Sequence, residues 1–495
     1  MIMTQEQAFL KAQTQLGDLL AFVRQASADR QRLDQVERGL FTQLLQLGFT
    51  LLTGFVAAAG DGDAGPTATA PDGRACRRLP EPHPRTYRSV FGTLTFARYV
   101  YGTRAGQKIR YVPLDATLGL PEGEFSYLLQ EWAQRLCLKG AYAEAAASLH
   151  DLLGLRHSVR SLEHMSQVAA EPAAAFADGR PAPSPDEEGE LLVLTADGKG
   201  VPMRRPAAAA GPRRPPRRRK GEKANKKQMA CVGAVYTIDR FVRTADDVVE
   251  EVRRRQRAAG RPAPCHKHVW AEMTRVLDGG PCNGRVALFA RLAQERRQRD
   301  PSGQRPTVCL FDGEPALWQE WLEQLGDTVG ILDLFHVLER LWEAAHCFHA
   351  EGSTEAEGFV TARLRLLLEG KVRYVIGGLR QMRTKRGLRG SKAQVLARVT
   401  NYLENNQEWM RYDDYLAAGY PIGSGVAEGA CRHLVKDRLE QTGMRWTVAG
   451  AQAMLHLRAT YLNGDWEAFW QYLIQQEQSQ LYGPQAQEPS FDMAG

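Results

Sequence analysis

No Cys-x-x-Cys pair occurs anywhere in the 495 residues. The eight cysteines (Cys76, Cys137, Cys231, Cys265, Cys282, Cys309, Cys347 and Cys431) are scattered along the chain, which argues against a disulfide framework and against a zinc ribbon. Two Cys/His clusters, Cys265-His266-His268 and His346-Cys347-His349, are too irregularly spaced to argue for structural zinc, and none is expected. No uninterrupted apolar run approaches the roughly 18 to 20 residues of a membrane span, so no membrane partner is expected. The opening stretch MIMTQEQAFLKAQTQLGDLL lacks the basic region and short apolar core of a secretory signal, so a cytoplasmic location is expected. Acids are nearly missing from one long stretch. Between Arg204 and Lys227 stand eleven Lys or Arg and a single acid, Glu222.

What is present is a globular composition, 43% hydrophobic, with length for roughly two to four domains. The net charge of +7 is modest but unevenly spread, and nucleic acids respond to the distribution rather than the sum. The basic stretch is rich in Pro, Ala and Gly and cannot bury a core. It is expected to be an arm at 204–227 that lies along a DNA backbone, with Arg213, Arg214, Arg217, Arg218, Arg219, Lys220, Lys226 and Lys227 on phosphates. A solvated linker is the alternative.

Along residues 4–60, Leu10, Leu16, Leu19, Leu20 and Val23, then Leu40, Phe41, Leu44, Leu45, Phe49 and Leu52, recur at helical spacing. They predict two amphipathic helices (region 1–60), for oligomerisation or DNA binding. After a Gly, Pro and Ala linker, TYRSVFGTLTFARYVY alternates like a β-hairpin around Gly92 and Thr93, giving a small β unit over 80–123. Residues 124–180 read as helical. Within them, 140–166 reads helix, turn at Gly154 to His157, and a second helix capped by Ser158, the shape of a helix-turn-helix. Such a motif reads DNA through the N-terminal half of its second helix, which here offers Arg160, Ser161 and His164. The same shape also occurs in proteins that never touch DNA.

The region 186–340 alternates strands with helices. LLVLTADGKGVPMRR is a strand with Asp197 at its end, before Gly198 and Lys199; QMACVGAVYTID is a second and RFVRT a third; residues 246 to 260 look helical. PTVCLFDGEPALW ends a strand at Asp312-Gly313, and ILDLFHVLERLW places Asp333 and His336 at a helix start. This alternation predicts a mixed α/β sheet covered by helices, with ligands at the carboxyl ends of strands. A single Asp there is commonly a turn former or a cap. Two, each followed by Gly, are harder to dismiss. Glu428 follows Gly423-Ser424-Gly425 in the first turn of another helix, with Arg432 and Lys436 at i+4 and i+8 on roughly its face. Three converging carboxylates suit two Mg²⁺ (or Mn²⁺) ions for phosphoryl transfer on DNA.

Taken together, TADGKGVPM, MACVGAVYTID, FDGEPALW, ILDLFHVLERLWEAAHCFH and YPIGSGVAEGACRHLVKDRLEQTGMRW resemble the bacterial insertion-sequence transposases of the ISKra group. These are DDE transposases related to the Mutator-like elements, and the match runs from about Phe91 to Tyr461. The resemblance implies an RNase H-like core (186–340 and 421–475) with an all-α insertion at 341–420, followed by a flexible tail at 476–495. It makes Asp197, Asp312 and Glu428 the catalytic acids and metal ligands, and Asp333-x-x-His336 a signature with His336 near the scissile phosphate; Lys199 is a further auxiliary candidate. Arg445-Trp446 falls where related transposases carry a tryptophan that stacks on an unpaired base, although a core tryptophan is the common alternative. The implied partner is double-stranded DNA, both terminal inverted repeats and target, bound by a homodimer or higher oligomer at the nucleoid. The stretch ARYVYGTRAGQKIRYVPLD lacks the Cys-x-x-Cys element many members carry, so a zinc-stabilised N-terminal module is not expected. Two other readings stand: an RNase H-like nuclease that hydrolyses without joining strands, and a domesticated derivative that binds DNA without cutting.

Overall fold

The computed structural model describes residues 4–103, 109–204, 227–254, 259–277 and 279–483. The chain divides into two compact units, Met1–Pro172 with Trp466–Gly495, and Ala173–Asp465.

The first unit opens with an antiparallel pair of helices, α1 (Gln5–Ala28) and α2 (Leu33–Ala58). Thr4 and Gln7 cap α1 reciprocally, each side chain taking the other's backbone amide. Small residues set the spacing of the pair: a side chain at Gly39 would collide with the Phe22 ring, and one at Gly54 would press on Phe9 and Ala8. A second side of α2 packs Phe49 against Gly92 and places Val56 in a core with Phe96, Leu114 and Leu120. The β-hairpin pairs His83–Ser89 with Gly92–Arg98, Ser89 facing Gly92. Its turn therefore falls on Val90 and Phe91, two residues earlier than the sequence pattern suggests.

One expectation needs correction. α2 is long and apolar enough to cross a membrane by length and composition, with a mean hydropathy of 1.5 over its most apolar 18 residues. Thr, Gln and Gly break every continuous apolar run in it, yet from Gly39 onward it carries no charge.

Further along, α3 (Tyr142–Leu153) ends on Gly154, whose φ of +69° suits the left-handed C-cap that glycine adopts most readily. The next helix, α4 (Val159–Ala170), is capped by Ser158, whose Oγ accepts from the Ser161 amide at 3.0 Å. The helix Trp466–Tyr482 continues into the region read as a flexible tail. It is held there by the Tyr482 hydroxyl donating to Leu120 O (2.6 Å) and Gln478 Nε2 donating to Gly119 O (3.2 Å). Residues 484–495 lie outside the described residues.

The second unit is built on one five-stranded sheet. Its strands are β1 (Leu191–Pro202), β2 (Lys227–Ile238), β3 (Cys265–Met273), β4 (Thr307–Phe311) and β5 (Val329–Leu332), in the spatial order β5-β4-β1-β2-β3. β1, β2 and β3 pair antiparallel, while β4 and β5 add to β1 in parallel. A central sheet of this mixed order, flanked by helices, is RNase H-like in topology. RFVRT is not its third strand: the Phe241 amide donates instead to Gly419 O (3.0 Å), and the third strand lies 265–273. Helix α5 (Gly284–Arg299) lies on the sheet where Gly233 leaves room for Leu288. Helices α6 (Pro315–Leu325) and α7 (Leu334–Ala345) follow β4 and β5. Four more helices, Thr354–Leu368, Val372–Lys385, Gly390–Asn405 and Tyr412–Ala417, intervene before the chain returns to the sheet. The last of them covers the edge of β5, the hydroxyls of Tyr412 and Tyr415 donating to Leu332 O (2.8 Å) and Gly330 O (3.2 Å).

Candidate active site on the central sheet

β1 and β4 are the two central parallel strands, and their register pairs Ala196 with Phe311. One residue further on, Asp197 and Asp312 stand side by side at the carboxyl end of β4. Asp197 does not end its strand, as the sequence suggests. β1 runs on to Pro202 because β2 pairs with it through Asp197↔Val232 as far as Pro202↔Lys227. Asp312 does follow the last residue of β4, and its Oδ1 accepts from the Glu314 amide at 2.9 Å.

Electrostatics tie the two acids together. Burial raises the Asp312 carboxyl above its ordinary value and the charge of Asp197 adds to this, against the Glu314 amide and the nearby His336. Glu314 itself has no counterpart among the sequence candidates; its Oε2 comes within 3.9 Å of where a side chain at Gly198 would begin. Its only sequence signal is proximity to Asp312.

Asp333 caps α7, its Oδ1 accepting from the Phe335 amide (2.8 Å), while its Oδ2 accepts from the Ser424 amide (2.9 Å). Its own amide donates to Phe311 O (2.8 Å). One residue therefore joins the end of β4, the start of α7 and the Gly-Ser-Gly loop. Burial pushes its carboxyl up to about 6, and the charge of Glu428 contributes. Ser424 then caps the short helix α8 (Gly425–Ala430), accepting from the Ala427 amide at 2.9 Å. Glu428 lies exposed on α8. Past it the helix widens into a π-helical turn over Cys431–Lys436, a form frequent at functional sites. The first residue of that turn reaches back to the sheet: Cys431 Sγ donates to Asp197 Oδ2 at 3.3 Å. The sequence does not single out Cys431, since a lone thiol carries no pattern.

The structure thus brings Asp197 and Asp312 together and fastens α8 to the sheet at both ends, but it does not gather all three acids. Among the described residues, no three His, Cys, Asp or Glu side chains stand close enough to hold a metal ion. Lys199 lies two residues beyond Asp197 on β1, and His336 faces Glu339, Nδ1 to Oε2 3.8 Å. Arg432, Lys436 and Arg445 are exposed. Trp446 is not available for stacking in this structure. It is buried, with Nε1 donating to Leu439 O (3.1 Å) and the Arg438 guanidinium 4.9 Å over its ring.

In the first unit, the solvent face of α4 carries a shallow depression of about 610 Å³ lined by Ser158, Arg160, Ser161, Glu163, His164 and Gln167. Of the basic arm, the described residues include Arg204 and Lys227. Lys227 pairs with Glu440, and the Arg204 amide donates to Trp446 O (2.8 Å). Arg213, Arg214, Arg217, Arg218, Arg219, Lys220 and Lys226 lie outside the described residues.

Among solved structures, a chain of the Drosophila P element transposase strand transfer complex aligns with 75% of this chain and 84% of its own length, at 11% identity and a TM-score of 0.25. No protein-family model and no curated protein matches the chain.

Proposed function

We propose that this chain is a DNA transposase of the DDE type, similar to the ISKra group, that cuts and joins DNA strands at the carboxyl end of β4. The observation that carries this reading is the adjacency of Asp197 and Asp312 on the two central parallel strands of an RNase H-like sheet. Two hard oxygen donors side by side, one of them raised by burial and by the other's charge, fit Mg²⁺ or Mn²⁺. In this reading Asp197, Asp312 and Glu428 hold two ions. When bound, such ions stabilise charge on the phosphoryl oxygens and acidify the attacking water or 3′-hydroxyl.

The remaining roles fall to the chain's own residues. Cys431 fixes the Asp197 carboxylate by donating to Oδ2, and Asp333 holds the loop that carries Glu428. The Arg160, Ser161 and His164 side of α4 reads base edges at the terminal repeats. The arm at 204–227 contacts phosphates: its described ends, Pro202 and Lys227, leave the sheet beyond Asp197 on β1, so it departs from the end of the sheet where the acids lie. The test is product analysis with a pre-cut terminal-repeat duplex and a plasmid target in Mn²⁺. The proposal expects joined strands. Hydrolysed ends without joining would instead identify a nuclease.

A further inference from the structure

Phe9, Leu16, Leu20 and Val23 on α1 are each 38 to 51% exposed. On α2, Phe41, Leu44, Leu51 and Phe55 are 45 to 61% exposed. Large apolar side chains at this exposure, regularly spaced on neighbouring helices, are unlike the scattered surface leucines of an ordinary monomer.

Their positions share one geometry. The seam between the helices includes Ala8, Ala12 and Phe22 on α1 and Gly39, Thr50 and Gly54 on α2. Each exposed residue lies one position after a seam position: Phe9 after Ala8, Val23 after Phe22, Leu51 after Thr50, Phe55 after Gly54. One residue is a rotation of about 100° in the same sense. Because the helices are antiparallel, the same sense of rotation on each brings both stripes to one side of the pair. Phe41, Leu44, Leu51 and Phe55 follow steps of three, seven and four, the spacing of a coiled-coil seam with Gly48 at the skipped place. The stretch of α2 from Gly39 has no charge, and Lys11 and Asp18 on α1 precede their seam positions and so turn to the other side.

We propose that this face is where a second copy of the chain docks, two hairpins stacking about a two-fold axis into a four-helix bundle. A face about 36 Å long and two helices, about 20 Å, wide offers about 700 Å² per copy. Doubled, that is about 1,400 Å², the size of a stable interface. A bilayer fits less well. Residues 29–32 alone separate the helices, so a spanning α2 would carry α1 with it, and with α1 Lys11, Asp18 and Arg24, charges that a hydrocarbon core selects against. For a surface-bound helix the apolar face needs flanking cations, and α2 has only Arg38.

The inference does not depend on the reading of the catalytic sheet, and its test uses no DNA. Light scattering on the full chain at tens of micromolar should give about 110 kDa, twice the 55.1 kDa of one chain. The double variant Leu16→Glu, Leu44→Glu should halve that mass with its circular dichroism unchanged, because both side chains are already exposed in the monomer. Leu152→Glu, at an exposed leucine elsewhere in the first unit, should leave the mass at the dimer value. A wild-type monomer, or a double variant that still dimerises, overturns the proposal. So does a wild-type monomer that sediments with phosphatidylcholine/phosphatidylglycerol vesicles and loses this on the same double substitution, which assigns the face to a membrane.

Discussion

Gly313 and Asp333 are the two residues through which the rest of the second unit holds the acid pair in place. A side chain at Gly313 would begin 2.3 Å from the Tyr402 ring, so Gly313→Ala should destabilise the fold by roughly 1 to 3 kcal/mol. Combining it with Tyr402→Ala should remove much of that cost; a chemical denaturation series in which the two losses simply add would mean that the ring does not rest there. Asp333 gives a pH signature. Its carboxyl is raised from an ordinary 3.8 to about 6 in the folded chain, so between these values the folded state holds a proton that the unfolded state has lost. Stability from this group is complete below about pH 4 and is lost as pH rises through 6. Relative to Asp333→Asn, the wild type should therefore lose roughly 1 to 3 kcal/mol between pH 4 and 7. A pH-independent difference would contradict the burial of that carboxyl. Asp312 and Asp333 are legible in the sequence because an Asp after an apolar strand is a local pattern. Cys431 and Glu314 are not, because what makes them matter is contact with residues up to 234 positions away.

At the scale of elements, α3, the Gly154 turn and α4 are readable because caps and left-handed glycines act within a few residues. β3 is not. Its first residues, Cys265, His266 and Lys267, are exposed while Val269 to Met273 are buried, so neither alternation nor an apolar run marks it, and its polar start resembles a ligand cluster. The basic and polar face of α4 has its own prediction. Arg160→Ala should lower the preference for the terminal repeat over random DNA roughly tenfold, since a good bidentate contact to a base edge is worth about 1 to 3 kcal/mol. Competition binding in which both DNAs weaken equally would make Arg160 a phosphate contact.

For the molecule as a whole, the alternation of strands and helices predicts a mixed sheet, while the sheet order that makes it RNase H-like comes from pairing, which no single sequence states. The charge distribution gives a prediction of the same scale. Removing residues 205–226 should weaken binding to all DNA sequences alike and flatten its salt dependence, by a slope of about 0.9 for each phosphate no longer neutralised. An unchanged slope would leave the segment a linker. The account as a whole stands on the claim that Asp197 and Asp312 form one cation-dependent site for phosphodiester chemistry. Single-turnover cleavage of a labelled terminal-repeat duplex tests it most directly, comparing wild type with Asp197→Asn and Asp312→Asn, which remove one charge each at nearly constant shape. Cleavage should require Mg²⁺ or Mn²⁺ and fall at least a thousandfold (about 4 kcal/mol of barrier) in either variant, with DNA binding retained. Cleavage at the wild-type rate by either variant, or undiminished by EDTA, would contradict it.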